Sequence, residues 1–391
     1  MVCLLQFCSN FLSLRVLFVV TAMFFQASTA SASDVAFAGF AYAGDMQTSA
    51  ARFPYSKQLE SGMSGGLTGE LQKSMSTAKP ENFALVSRID DLAGREQAVA
   101  VAMVMTNETI STEKFGSAYK VLVQLRAQAM FFDFKSKTVL RAYPISFAYI
   151  DVLSAPPTPD QITERIGAVY RGTTGKAGLI QRFVDAVQRA TIPNNIPRFV
   201  QVVGVSVGDE AREQFPEHLR GPAGDTWIAD SLGEAISSKL GIPILPYAKG
   251  YAIGNVMSMT IGDSTVFNLK LPKPDYEFSA DIVKLKKVLY SDQPAGKSFI
   301  YGTLAKIQLV EPLSETAYLR SGFKNGEVKV VPATQVTTDD FPAFEDSMRG
   351  LFAKLSRSVA GEETAWLRSA ADAKDIDQQI TKTKELLKLC K

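Results

Sequence analysis

The chain has 391 residues, with 42 Lys and Arg against 40 Asp and Glu, one histidine and three cysteines. A balance so close to neutral lacks the basic stripe that nucleic-acid binding demands. With a single histidine, a zinc site built on His or any Ser–His–Asp chemistry would have to run through it.

Arg15 is the only charged residue before Asp34, and residues 16–25 (VLFVVTAMFF) form an apolar run. That run is short for a bilayer span and has the length of a signal-peptide core. Ala30-Ser31-Ala32 then supplies the small-x-small pattern read by signal peptidase. A signal peptide over 1–32 is therefore expected, cut between Ala32 and Ser33; the alternative is an uncleaved anchor. Cys3 and Cys8 fall inside this segment, and no cysteine follows at the cut, so a bacterial lipid anchor is not encoded there. Only Cys390 remains, which forbids an intrachain disulfide. The expected location is the periplasm, with outer-membrane association or secretion as extensions. Asn107-Glu108-Thr109 matches a glycosylation sequon, without meaning in a bacterial chain.

Beyond the signal segment the same pattern is read twice. The first half opens on residues 35–42 (VAFAGFAY), the second on 199–207 (FVQVVGVSV), each ending in Gly and Asp. A helical stripe follows: Leu59, Met63, Leu67, Leu71 and Met75, then Ile228, Leu232, Ile236 and Leu240 behind Trp227. Short strands come next at 83–86 and 242–245, the latter irregular or at an edge because of its prolines. Third strands are read at 99–105 and 256–261, offset by 157 against 164 for the first strands. Long hairpins are read at 121–151 and 278–310. In the first, Val121, Val123, Leu125, Ala127 and Ala129 alternate with Gln124, Arg126 and Gln128, the mark of a half-buried strand. In the second the alternation slips at Ile282-Val283, which points to a β-bulge. Ile162, Ile166, Val169, Leu179, Phe183 and Val187 mark a linker helix between proline-rich joints, and Phe344 to Leu355 mark a helix capped by Asp339 and Asp340. The expected fold is α/β (α+β): two tandem sandwich modules of two or three layers, with mixed sheets and long hairpins, over 33–154 and 198–360. They are joined by 155–197 and followed by a helical tail over 361–391.

This order of elements resembles an envelope module shared by the TolB amino-terminal domain, CsgG, FlgO, FlgT and LpoB. The likeness is carried by VAFAGFAY, the helix over 58–75, FALVSRIDD at 83–91 and FDFKSKTVL at 132–140. It implies a non-catalytic scaffold or assembly factor. The chain departs from that group in lacking a lipid-anchor cysteine, a β-propeller and pore-forming hairpins.

Candidate chemistry is sparse. His218 stands in a polar stretch and reads as an exposed loop residue. Gly172-Thr173-Thr174-Gly175-Lys176 suggests a phosphate loop, but Tyr170 and Ala177 occupy positions where the Walker pattern needs Gly and Ser or Thr. Gly62, Gly65, Gly66 and Gly69 are read as allowing tight helix–sheet packing. The acid pairs Asp90-Asp91, Asp339-Asp340 and Glu362-Glu363 are sequence neighbours and cannot face one another across a cleft. Ile376, Ile380, Thr383, Leu387 and Cys390 form a short seam, which docks either on its own domain or on a second chain. In the second case two Cys390 residues would form an intermolecular disulfide. No catalytic residue, metal or cofactor is expected. The leading functional reading is a periplasmic scaffold binding another envelope protein or polymer. A ligand-binding protein using the cleft between modules is the alternative, and an unrecognised hydrolase a weaker one.

Overall fold

Period-two alternation dominates this chain and produces unusually long strands. The computed structural model describes residues 34–391 except 45, 87–91, 93, 95–96, 193–196, 262–264, 334 and 336–337. The expected signal peptide, with Ala30, Ala32 and Ser33, and the pair Asp90-Asp91 lie outside the described residues. The first half runs β1 (Asp34–Ala43), α1 (Met46–Arg52), α2 (Pro54–Ser61), α3 (Gly66–Met75), β2 (Ala84–Val86), β3 (Val99–Phe115), β4 (Ala118–Asp133) and β5 (Thr138–Leu153). It continues through α4 (Pro159–Arg171), the tiny strands β6 (Gly172–Thr173) and β7 (Lys176–Ala177), and α5 (Leu179–Arg189). The second half runs β8 (Val200–Val207), α6 (Asp209–Arg212), α7 (Pro222–Leu240), α8 (Ala248–Tyr251), β9 (Ala252–Ile253), β10 (Val256–Ile261) and β11 (Val266–Lys270). Three long strands follow, β12 (Tyr276–Gln293), β13 (Gly296–Glu311) and β14 (Thr316–Pro332), then α9 (Phe341–Ala360), α10 (Thr364–Ala370) and α11 (Ile376–Lys388).

The mixed α/β expectation holds, and each half contains the same four-stranded unit. β1 pairs parallel with β3, which opens the antiparallel meander β3-β4-β5; β8 pairs parallel with β12, which opens β12-β13-β14. Irregularities recur at matching places. Register slips skip Ala38 and Val203, then Thr106 and Val283, then Leu140 and Tyr318. Members of the last two pairs stand 177 and 178 residues apart. Among the described residues, Lys137 and Glu315, also 178 apart, are the two non-glycine residues with positive φ, each ending the last meander turn. A bulge is a costly local choice tied to register, so its recurrence identifies equivalent strands better than apolar runs do.

That alignment corrects the sequence reading. The counterpart of β3 is β12, not the strand at 256–261. β9, β10 and β11 have no equivalent among the described residues of the first half; they join the first sheet, whose order is β2-β1-β3-β4-β5-β11-β10-β9. β10 also pairs with β1, Ala41 opposite Ile261, so this sheet curls back on itself. β14 was not among the strands expected from the sequence, and its Asn325-Gly326 is a pair more often found in hairpin turns. In the structure Gly326 lies mid-strand opposite Gly302, and the Asn325 amide donates to the Ser347 carbonyl at 3.0 Å.

The layers follow from β3, which is buried on both faces. Val99, Val101, Met103 and Met105 enter one core, and Ala100, Ala102 and Val104 the other. α4 and α5 cover the first core with Ile162, Ile166, Val169, Leu179, Phe183 and Val187, so the segment read as a linker is the outer helical layer of the first sheet. α7 and α9 fill the second core and reach the four-stranded sheet β14-β13-β12-β8 beyond it. The order is helix, sheet, helix, sheet, with one core shared by both halves; they are not two sandwiches lying side by side. Residues 242–245 stitch the sheets together: Ile244 N–H donates to Ala142 O of β5, and Leu245 N–H to Val200 O of β8, each at 2.8 Å.

Candidate functional site

Each meander has an inner face packed on its own helices and an opposite, outer face. In the first half the outer face carries Gln124, Arg126, Gln128 and Ser146, all buried, where the sequence suggested a half-buried strand. Arg126 and Ser146 meet α7 of the second half. Arg126 donates to Ser231 Oγ at 2.9 Å and to Glu234 Oε2 at 3.4 Å, and its guanidinium lies 5.8 Å from the Trp227 ring centroid. Ser146 donates to Glu234 Oε1 at 2.6 Å. One turn earlier on α7, Asp230 accepts from the Tyr251 hydroxyl, and Arg52 stacks over Tyr251 at 5.6 Å. Burial raises the Asp230 carboxyl to about 6, against the opposing pull of Arg126 and the tyrosine. The polar faces of β4 and α7 are each other's partners.

Among the described residues, nothing covers the equivalent face of the second meander in this way. Arg126 corresponds to Leu304, since the two sit on the same side of matching register slips. Across the sheet the rows are Lys284–Leu304–Lys324, Lys286–Gly302–Gly326, Val288–Ile300–Val328 and Ser298–Val330. Opposed residues in an antiparallel pair point to one side, so these side chains form a single surface. Val288, Leu304, Val328 and Val330 are 43, 38, 55 and 68 % exposed. Exposed apolar residues are ordinary singly, but a contiguous set is a sign of binding.

A second feature is a cleft of about 750 Å³ between α5 and α7, with Arg182, Arg189 and Lys239 in its walls. Several of its polar groups already have partners within the chain. Arg189 Nε donates to Asp185 O at 3.1 Å, Lys239 pairs with Glu362 at 2.7 Å, and Ser237 Oγ donates to Ile242 O at 2.6 Å.

The residues singled out in the sequence fall elsewhere. His218 is exposed in a 3₁₀ turn, Glu217–Leu219. The phosphate-loop candidate is the β6–β7 hairpin, with Gly175 at φ 77° and a Cβ on Gly178 placed 2.2 Å from Gly172 N. The glycine cluster breaks the expected helix in two: Gly65 and Gly66 have φ of 80° and 59°, while Cβ atoms at Gly62 and Gly69 would meet nothing closer than 3.6 Å. Backbone reversal, not close packing, explains Gly65 and Gly66. Asp339 accepts from Phe341 N–H at 3.0 Å, as a cap would, but Asp340 binds Lys287 Nζ at 2.8 Å and the Tyr301 hydroxyl at 2.6 Å. Among the described residues no three His, Cys, Asp or Glu side chains gather as a metal site, and no helix is long and apolar enough to cross a membrane.

The tail seam docks on its own body. Ile376, Ile380, Thr383, Leu387 and Cys390 are all buried. The Arg320 amide of β14 donates to Gln379 Oε1 at 2.8 Å, and Thr383 Oγ1 donates to Tyr318 O at 3.3 Å, so α11 shields a sheet edge. Arg141 donates to the carbonyls of Cys390 and Lys391 at 2.8 and 3.1 Å. Burial pushes the Cys390 thiol up to about 12. A disulfide to a second chain does not fit this placement. The thiol should resist an aromatic disulfide reagent in the native protein and react fully once denatured, with no dimer on non-reducing electrophoresis; rapid native modification would show that the tail undocks.

No protein-family model and no curated protein matches the sequence. Among solved structures, it is similar to a Helicobacter pylori homolog of a neuraminyllactose-binding hemagglutinin, at 16 % identity and a TM-score of 0.26, over 43 % of this chain and 86 % of that one. It is also similar to protein XCC0632 of Xanthomonas campestris, from the DUF330 family, at 10 % identity and a TM-score of 0.20, over 42 % of this chain and 83 % of that one.

Proposed function

We propose that this chain is a non-catalytic docking protein of the bacterial cell envelope, which holds another envelope component on the uncovered face of its second sheet. The observation that carries this reading is the contrast between two equivalent faces. One is polar and covered by α7; the other sets Val288, Ile300, Leu304, Val328 and Val330 toward solvent. The displaced titrating groups support a role without catalysis. Asp230 belongs to the seam between halves, and Glu108 accepts from the amides of Tyr55 and Ser56 at 3.0 and 2.8 Å, capping α2.

The triple variant Val288→Asp, Val328→Asp, Val330→Asp should reproduce the phenotype of gene deletion while keeping the native circular dichroism. His218→Ala should behave as the parent, within about 0.5 kcal/mol of its stability, as exposed positions do. Full activity in the triple variant, or its loss in a folded His218→Ala protein, would overturn the proposal.

A further inference from the structure

We infer that the occupant of the uncovered face is an anionic phospholipid surface; this rests on the reading of that face as the docking site. From Lys284 outward to the β12–β13 turn, the face comprises Lys284, Lys286, Val288, Ser298, Ile300, Gly302, Leu304, Lys324, Gly326, Val328 and Val330. Three are cations, five are apolar, and none is an acid. Lys284 has Glu210 at 3.7 Å, both well exposed, whereas among the described residues Lys286 and Lys324 have no acidic partner within ion-pair distance. Farther inboard, Lys306 stands opposite Asp281, so the excess positive charge belongs to the outer part of the ribbon.

The layout suits a flat, negatively charged partner. Gly302 and Gly326 keep the middle of the face low, and lysine stems can lie along the valines with their ammonium groups reaching outward. Each lysine held near an anionic bilayer adds to binding, and the effect fades with salt. Tyr290, 68 % exposed, stands at a register slip near the ribbon's end, and tyrosine favours the boundary between headgroup and acyl chain.

Other occupants fit less well. Protein interfaces exclude lysine from their centres. Where this same face does receive protein, in the first half, it presents Gln124, Arg126, Gln128 and Ser146. A second copy meeting face to face would oppose lysine to lysine.

Flotation of the purified protein with vesicles tests the inference. Binding is expected to vesicles of mixed phosphatidylglycerol and phosphatidylcholine, to weaken in high salt, and to be negligible with phosphatidylcholine alone. The pair Lys286→Glu, Lys324→Glu should lower the partition coefficient by about tenfold or more, and Val288→Ser with Val330→Ser should lower it at every salt concentration. No binding to either vesicle, or equal binding to both, overturns the lipid assignment. A photocrosslinker at position 330 in cells separates that failure from the wider one: a protein adduct keeps the docking reading and replaces lipid with protein, whereas no adduct of any kind removes both. Light scattering that shows a dimer strengthened by the double lysine variant would assign the face to a second copy.

Discussion

Replacing Arg126 with alanine is expected to destabilise the protein by about 3–5 kcal/mol, the range for removing one partner of a buried ion pair. Its side chain is 4 % exposed and Glu234 is 19 % exposed, so the carboxylate left behind gains little from water. Ser231 also loses its donor, and the Trp227 ring its cation. The loss should be far larger than for Arg368→Ala, whose pair with Asp377 is 69 and 55 % exposed and should contribute no more than about 0.5 kcal/mol. The double variant Arg126→Met, Glu234→Gln should recover most of the stability, because both charges then leave together. Urea denaturation near neutral pH measures all three. A cost below about 1 kcal/mol for Arg126→Ala would mean that water reaches the seam.

Asp230 gives the second large effect, and it depends on pH. Its folded-state value, about 6, lies above the usual 3.8, so between those values the folded protein holds a proton that the unfolded chain releases. Stability therefore falls as pH rises from about 4 to 6, and the penalty is complete above that. The shift corresponds to about 2–3 kcal/mol at neutral pH. Asp230→Asn keeps an acceptor for the Tyr251 hydroxyl and removes the charge. It should stabilise the protein at pH 7–8, change it little near pH 4, and flatten the profile between. Parallel pH profiles for the two proteins would show that Asp230 titrates normally.

The strands of the first half, the bulge at Val283 and the helical stripes were legible because each is a local pattern. The seam was not, and the reason is physical. Gln124, Arg126 and Gln128 read as a solvent face, and so do Asp230, Ser231 and Glu234 on the far side of the Ile228–Leu232–Ile236 stripe. Each reading is sound for an isolated element. Only their juxtaposition makes both faces interior, and polar–polar contact between distant segments leaves no periodicity to find. The same limit hid the open face. Lys284, Val288, Ile300 and Lys324 alternate like any edge of a sandwich, and their exposure depends on a helix that is present in one half and missing in the other. β14 was not expected at all; its Asn325-Gly326, a pair that favours turns, is held in the strand by Gly302 across the sheet and by Ser347 beneath it.

The ribbon of β9, β10 and β11 belongs by chain order to the second half and by hydrogen bonding to the first. In most tandem repeats each copy keeps the option of a separate existence and can be deleted, reshuffled or left to drift. Here, excising the second copy would take away the strands that complete the first copy's curled sheet, together with the helix that buries Arg126. The two halves are thereby bound to a common fate, and variation in either is answerable to the other. The outer face of the last meander is released from that constraint: nothing else among the described residues fixes what must stand at Val288 or Val330, so it is a part of the molecule free to follow a changing partner.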